Sequence, residues 1–261
     1  MNPATYIQRQ RKAFVEELKG FLRIPSVSTK TEHKPDIERA ANWVADQLRA
    51  AGLETVEILP TGGHPMVYGE WLKAPGKPTV LFYGHYDVQP AEPLHLWTSP
   101  PFEPTVRDGK IYARGTADDK GQIHIHFKAL EALMKTNGTL PVNVKVMIEG
   151  EEEVGSANLW SFVQKNRERL KADALVVSDT QMLARGVPSV TYGLRGLNYY
   201  QVEITGPKQD LHSGVFGGAV PNPLTILSEM IAKLHDKNGR VTVPGFYDKV
   251  RVASKKERKA L

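Results

Sequence analysis

Three short apolar runs, residues 79–83, 142–148 and 174–178, each stop at polar residues. The first leads into Gly84-His85-Tyr86-Asp87-Val88, the second into Glu149-Gly150-Glu151-Glu152-Glu153, and the third into Asp179. Compact runs of this kind are strands covered on both faces. Amphipathic stretches lie between them. Ile123, Phe127, Leu130 and Met134 repeat with helical spacing over residues 119–135, and a second helix is predicted over 157–170. Helices that alternate with buried strands define an α/β fold with a largely parallel sheet.

The flanks fit the same plan. Ile7, Phe14, Leu18 and Phe21 give one helical stripe, broken by Gly20 and Pro25. Ile37, Val44 and Leu48 give another, closed by Gly52. Strands are predicted over 55–59 and 66–70, and a Pro-rich loop over 90–104. Near Pro188 the pattern changes to a long extended stretch, 190–204, followed by a helix that Pro223 opens and that carries Leu224, Leu227, Ile231 and Leu234. The chain therefore divides into an α/β domain over 1–188 and the start of a smaller α+β domain over 189–261.

The 261 residues contain no cysteine, which excludes a disulfide scaffold, a thiol nucleophile and a thiolate metal site, and fits a reducing compartment. The net charge of +5 raises the question of a polyanion partner. Residues 249–261 carry six basic residues against one acidic residue, which accounts for all of it. The charge is thus a feature of one end and not of a face, and neither nucleic acid nor membrane is expected as a partner. No apolar run approaches a membrane span, and residues 1–23 do not read as a signal peptide.

In α/β sheets, sites form at the carboxyl ends of strands, where these polar clusters fall. His85 has one ring nitrogen for a metal and one for a supporting carboxylate, and Asp87, two residues along, lies on the same side. Asp118, in Gly115-Thr116-Ala117-Asp118-Asp119-Lys120-Gly121 at a helix start, can bridge two cations with its two oxygens. Glu152 and Glu153 are adjacent and point in different directions, so one can bind metal while the other handles a proton. Asp179 offers a further oxygen. A nitrogen-and-carboxylate set without sulfur suits zinc, manganese or cobalt.

Phe82-Tyr83-Gly84-His85-Tyr86-Asp87-Val88, Arg114-Gly115-Thr116-Ala117-Asp118-Asp119-Lys120-Gly121 and Glu149-Gly150-Glu151-Glu152-Glu153-Val154-Gly155-Ser156 resemble the di-metal hydrolases of metallopeptidase family twenty, of the aminoacylase, carnosinase and glutamate carboxypeptidase type. Ser178-Asp179-Thr180, Tyr192-Gly193-Leu194-Arg195-Gly196 and Asp210-Leu211-His212-Ser213-Gly214 resemble further blocks in the same order, nearest to the dipeptidase branch. The resemblance implies a dipeptidase with two divalent cations, zinc before manganese or cobalt. His85 and Asp179 would hold one cation, Asp118 would bridge both, and Glu153 would hold the other. Glu152 would be the general base, Asp87 would orient His85, and the Asp118–Asp119 peptide would be cis. His212 would reach the partner subunit's active site in a homodimer built by the smaller lid domain and steady the oxyanion. A cytoplasmic enzyme acting on small peptides is implied. The alternative is an N-acyl amino acid deacylase of the same family.

The family draws a second histidine ligand from near its C-terminus, and members run considerably longer than this chain. The expectation is therefore an N-terminal fragment, with little activity of its own. None of the other histidines reads as the substitute. His33, His64 and His95 are placed in loops. His124 and His126 face different ways on one helix and read as structural. His235 is expected to cap the end of the helix that Pro223 opens. Tyr192, Tyr199 and Tyr200 read as strand packing. Trp97 reads equally as a loop anchor or a cleft wall.

Overall fold

A computed structural model describes residues 1–191 and 193–260. Helix α1 (Pro3–Leu22) begins where the Asn2 side chain accepts a hydrogen bond from the Thr5 amide at 2.8 Å, with proline in the first turn. Helix α2 (Lys34–Ala50) follows, then strands β1 (Thr55–Leu59), β2 (Met66–Trp71) and β3 (Thr79–His85). A small hairpin, β4 (Thr105–Arg107) and β5 (Lys110–Tyr112), precedes helix α3 (Lys120–Asn137). Gly138, at φ 71°, ends that helix in the left-handed conformation. Strand β6 (Asn143–Glu149), helix α4 (Leu159–Lys165) and strand β7 (Ala174–Val177) complete the first unit.

The five-stranded sheet has the order β1-β2-β6-β3-β7. Strands β6, β3 and β7 are mutually parallel, with Tyr83 opposite both Met147 and Val177. β2 is antiparallel to β1 and to β6, so β1 points with the other three and β2 alone runs against them. The short turn after β1 forces that one reversal, because a parallel return needs a longer crossover.

Side chains alternate across the sheet. Val67, Val144, Val146 and Ile148 face α2 and α3, where they meet Val44, Leu48, Ile123 and Phe127. Met66, Tyr68, Leu81 and Met147 face the other way and pack with Phe162 and Leu170. Each such large side chain, fully buried, contributes about 1.5–3 kcal/mol. The result is a sheet between two helical layers. Lys120 is fully buried against the end of α1, where Nζ donates to the carbonyls of Phe21 (3.2 Å) and Ile24 (2.7 Å). Burial pushes its ammonium down to about 7.

The chain separates into two units, Met1–Tyr192 and Gly193–Leu261. The second contains α5 (Ser213–Phe216), α6 (Pro223–Ala232) and α7 (Lys255–Ala260). Asn222 caps α6, accepting from the Leu224 amide at 2.9 Å.

Several local expectations are corrected. The helix predicted over 157–170 is regular only in α4, because the Asn166 amide side chain bonds back to the Phe162 carbonyl at 2.9 Å and closes it. The stretch 190–204 forms no ladder among the described residues. Among the described residues of Gly193–Leu261 no strand is present to pair with it, and Tyr199 and Tyr200 are exposed rather than packed. Tyr192 lies outside the described residues. Leu234 and His235 fall beyond the end of α6. His235 bridges Val241, so it lies too far along to cap the helix. His33 and His95 sit in short 3-10 turns, not open loops. No described helix is long and apolar enough to cross a membrane.

Candidate metal centre

The parallel strands bring their polar ends together. His85 is the last residue of β3, and its ring is fully buried. Its Nε2 lies 3.0 Å from Asp118 Oδ1 and 3.5 Å from Asp179 Oδ2. One ligand atom from each of these three residues lies within 4.8 Å of the others. Asp118 comes from the segment just before α3 and its side chain is largely exposed, while Asp179 follows β7 and is partly exposed. The cluster therefore has a closed floor at His85 and an open mouth of carboxylates. The Asp118–Asp119 peptide is cis.

The other ring nitrogen of His85 faces Asp87, with Nδ1 3.4 Å from Oδ1 and 3.1 Å from the Asp87 carbonyl. A proton held on Nδ1 leaves the Nε2 lone pair aimed at the mouth. Burial alone would push the His85 imidazolium down, but Asp87, with Asp119 and Glu152 behind it, outweighs burial and raises it to about 10. Without a cation Nε2 therefore also carries a proton, which a bound cation would displace. The Asp87 carboxylate also accepts the backbone N–H groups of Glu152 (3.3 Å) and Glu153 (3.1 Å). One buried carboxylate thus sets both the ring and the acidic turn.

The structure sorts the acidic run by partner. Glu149 accepts from the Tyr83 hydroxyl and, at 3.0 Å, from Ser156. Glu151 is held by the Asn158 amide at 2.9 Å. Glu152 and Glu153 lie on the same acidic turn but outside the three-residue group of His85, Asp118 and Asp179. Burial raises the pKa of both, as it does that of Asp179. Crowded, half-buried carboxylates around one imidazole form a site short of positive charge, and the nitrogen-and-oxygen donor set fits a divalent cation such as zinc. The ring and carboxylates present therefore fit the implied metal centre.

Two contributors were not anticipated. Asp119 is buried, accepts from the His85 amide at 3.1 Å, and is pushed up to about 7, first by burial. Gln89 donates to the Glu153 carboxylate at 2.8 Å and to its carbonyl at 3.0 Å. The place of Asp119 beside Asp118 was the available signal. For Gln89 it was the position two residues after Asp87.

The remaining histidines stay out of the cluster. His124 packs near Trp43, and His126 reaches Ser178, so the pair does diverge. Trp97 anchors its loop. Its indole N–H bonds the Ala91 carbonyl at 2.8 Å, and its ring lines a cavity of about 560 Å³ with Arg107, Tyr112, Thr116 and Ala117. His212 caps α5 in the second unit, where Nδ1 accepts from the Gly214 amide at 3.0 Å.

Residues 81–257 match peptidase family M20/M25/M40, and the chain belongs to that family. It is 38% identical to the Cys-Gly metallodipeptidase DUG1 of Candida albicans, across 96% of this chain and 55% of that one. It is 36% identical to the human Beta-Ala-His dipeptidase, across 94% and 51%. The solved structure of the Saccharomyces cerevisiae di-peptidase Dug1p superposes with a TM-score of 0.79 at 32% identity, covering 97% of this chain and 56% of that one. An M20 family metallo-carboxypeptidase of Sulfolobus solfataricus gives 0.75 at 34%, covering 94% and 55%. The chain spans about half the length of the curated relatives it matches.

Proposed function

We propose that the protein is a metal-dependent dipeptidase, and that residues 1–188 form the larger part of its catalytic domain. The convergence of His85, Asp118 and Asp179 carries this reading. His85 and Asp179 would hold one cation, Glu153 would hold a second from this chain, and Asp118 would contribute to both. Zinc is the first candidate, with manganese or cobalt as alternatives. When bound, such cations supply Lewis-acid chemistry that acidifies water and neutralises charge on a peptide carbonyl.

The chain's own residues do the rest. The Glu152 carboxylate takes the proton of the attacking water and returns it to the departing amine. Its burial raises its proton affinity toward the working range for that exchange. Asp87 keeps the His85 proton on Nδ1. In the second unit the Gly214 amide occupies Nδ1 of His212, which leaves Nε2 with the proton. His212 is then a donor suited to a developing oxyanion. The family resemblance supports its acting across a homodimer through the lid domain begun at residue 189. The lack of cysteine supports a cytoplasmic setting.

The test is hydrolysis by metal-loaded protein of a panel holding dipeptides such as Cys-Gly and β-Ala-His beside N-acetyl amino acids. Dipeptide cleavage that chelation removes is expected. Cleavage restricted to the acetyl compounds would make the protein a deacylase and overturn the reading.

A further inference from the structure

Of the two converging residues that sheet strands carry, His85 and Asp179, Asp179 has the weaker support. Strand β7 is four residues long, lies at the sheet edge, and pairs with β3 only from Ala174 to Val177. Leu175 and Val177 are exposed, so packing holds the strand little. Ser178 and Asp179 lie past the last ladder pair.

What holds this end comes from α3. His126 Nε2 lies 2.6 Å from Ser178 Oγ, and the His126 ring packs tilted against Phe82 of β3, with the ring centres 4.8 Å apart. The Thr180 amide, at 2.7 Å from the Ser178 carbonyl, turns the chain directly after. Helix α3 starts two residues after Asp118, so a single side-chain bond joins the helix that follows one carboxylate to the strand end that carries the other.

Resting on the metal-centre reading above, we infer that the His126–Ser178 hydrogen bond is a positioning device that fixes Asp179 relative to Asp118 and His85 for a shared divalent cation. Neither residue touches the cation. His126 acts through Ser178, and Ser178 through the backbone it shares with Asp179. Losing the bond leaves the three donors in place but frees one of them, which weakens binding without removing it. Supports of this kind change metal affinity by about 10–100-fold.

The test measures Zn²⁺ affinity by calorimetry and the visible spectrum of the Co²⁺-loaded chain, on Ser178→Ala, His126→Leu and the double variant. Ser178→Ala removes one oxygen and changes packing least. Expected are an affinity loss of about tenfold in each single variant, no further loss in the double, and a shifted Co²⁺ spectrum. The melting temperature in chelator should stay close to that of the wild type. Wild-type affinity and spectrum in both single variants overturn this inference alone. So does a fall in melting temperature with affinity unchanged. Failure of the wild-type chain to bind Zn²⁺ or Co²⁺ overturns the metal-centre reading together with it.

Discussion

Asp87 and His85 bury their side chains completely and side by side, with Oδ1 3.4 Å from Nδ1. The same carboxylate receives the amides of Glu152 and Glu153, so it joins the imidazole at the end of β3 to the acidic turn after β6. Replacing Asp87 by Asn removes the charge that stabilises the Nδ1 proton and exchanges one acceptor oxygen for a donor. Zinc affinity should fall by about 10–100-fold, read by competition with a coloured chelator. Unchanged affinity would show that Asp87 is only a packing residue.

Glu152 is assigned the proton and not the metal. Glu152→Gln should therefore lower kcat on dipeptides by about 10²–10⁴-fold and leave metal stoichiometry intact. Metal analysis of the purified variant, run beside the kinetics, separates the two roles. Loss of bound metal would reassign Glu152 as a ligand.

His124 should make the fold acid-sensitive. Burial, and then the Lys128 ammonium, push it down to about 3. Glu17 is 3.9 Å from its Nε2, beyond hydrogen-bond reach, and is already paired with Lys128. An unfolded histidine takes up its proton near pH 6.5, whereas the folded one stays neutral to about 3. The unfolded state binds more protons between those values, so stability falls as pH drops through that window. His124→Leu should flatten the slope of the urea midpoint between pH 6.5 and 4. Parallel curves for the two proteins would exclude the effect.

Gly84 leaves no room for a side chain. A Cβ there would sit 2.4 Å from Asp119 Oδ2 and 2.4 Å from Ile123 Cγ2. Gly84→Ala should cost about 1–3 kcal/mol in urea unfolding, because the start of α3 must shift away from β3. Since Asp118 precedes that helix, zinc affinity should fall in the same variant. Wild-type stability would mean that α3 yields without cost.

Strands β3 and β6 were legible because covered strands need continuous apolar runs. β7 was legible as a strand by the same sign, although Leu175 and Val177 are exposed and not covered as expected; His85 and Asp179 fall where those runs stop. The hairpin of β4 and β5 was not anticipated. Its signal is Asp108-Gly109, both at positive φ, the backbone that a tight hairpin turn requires. The His126–Ser178 bond had no such signal, since its partners are 52 residues apart and only the folded sheet brings them together. The reversal of β2, by contrast, was available, since the short connection between the strands predicted over 55–59 and 66–70 leaves no room for a parallel crossover.

Lys120 ties the start of α3 to the end of α1 through two main-chain carbonyls, with the centre of the Phe21 ring 4.7 Å from its Nζ. Every residue type presents the same carbonyl, so most substitutions at position 24 leave that acceptor unaltered. Variation among relatives should then be freer in the composition of this first helix than in its length. One inserted or deleted residue turns the helix end by about 100° and withdraws the carbonyls from the ammonium. Gaps in an alignment of this segment, more than its mismatches, would mark chains whose sites are built differently.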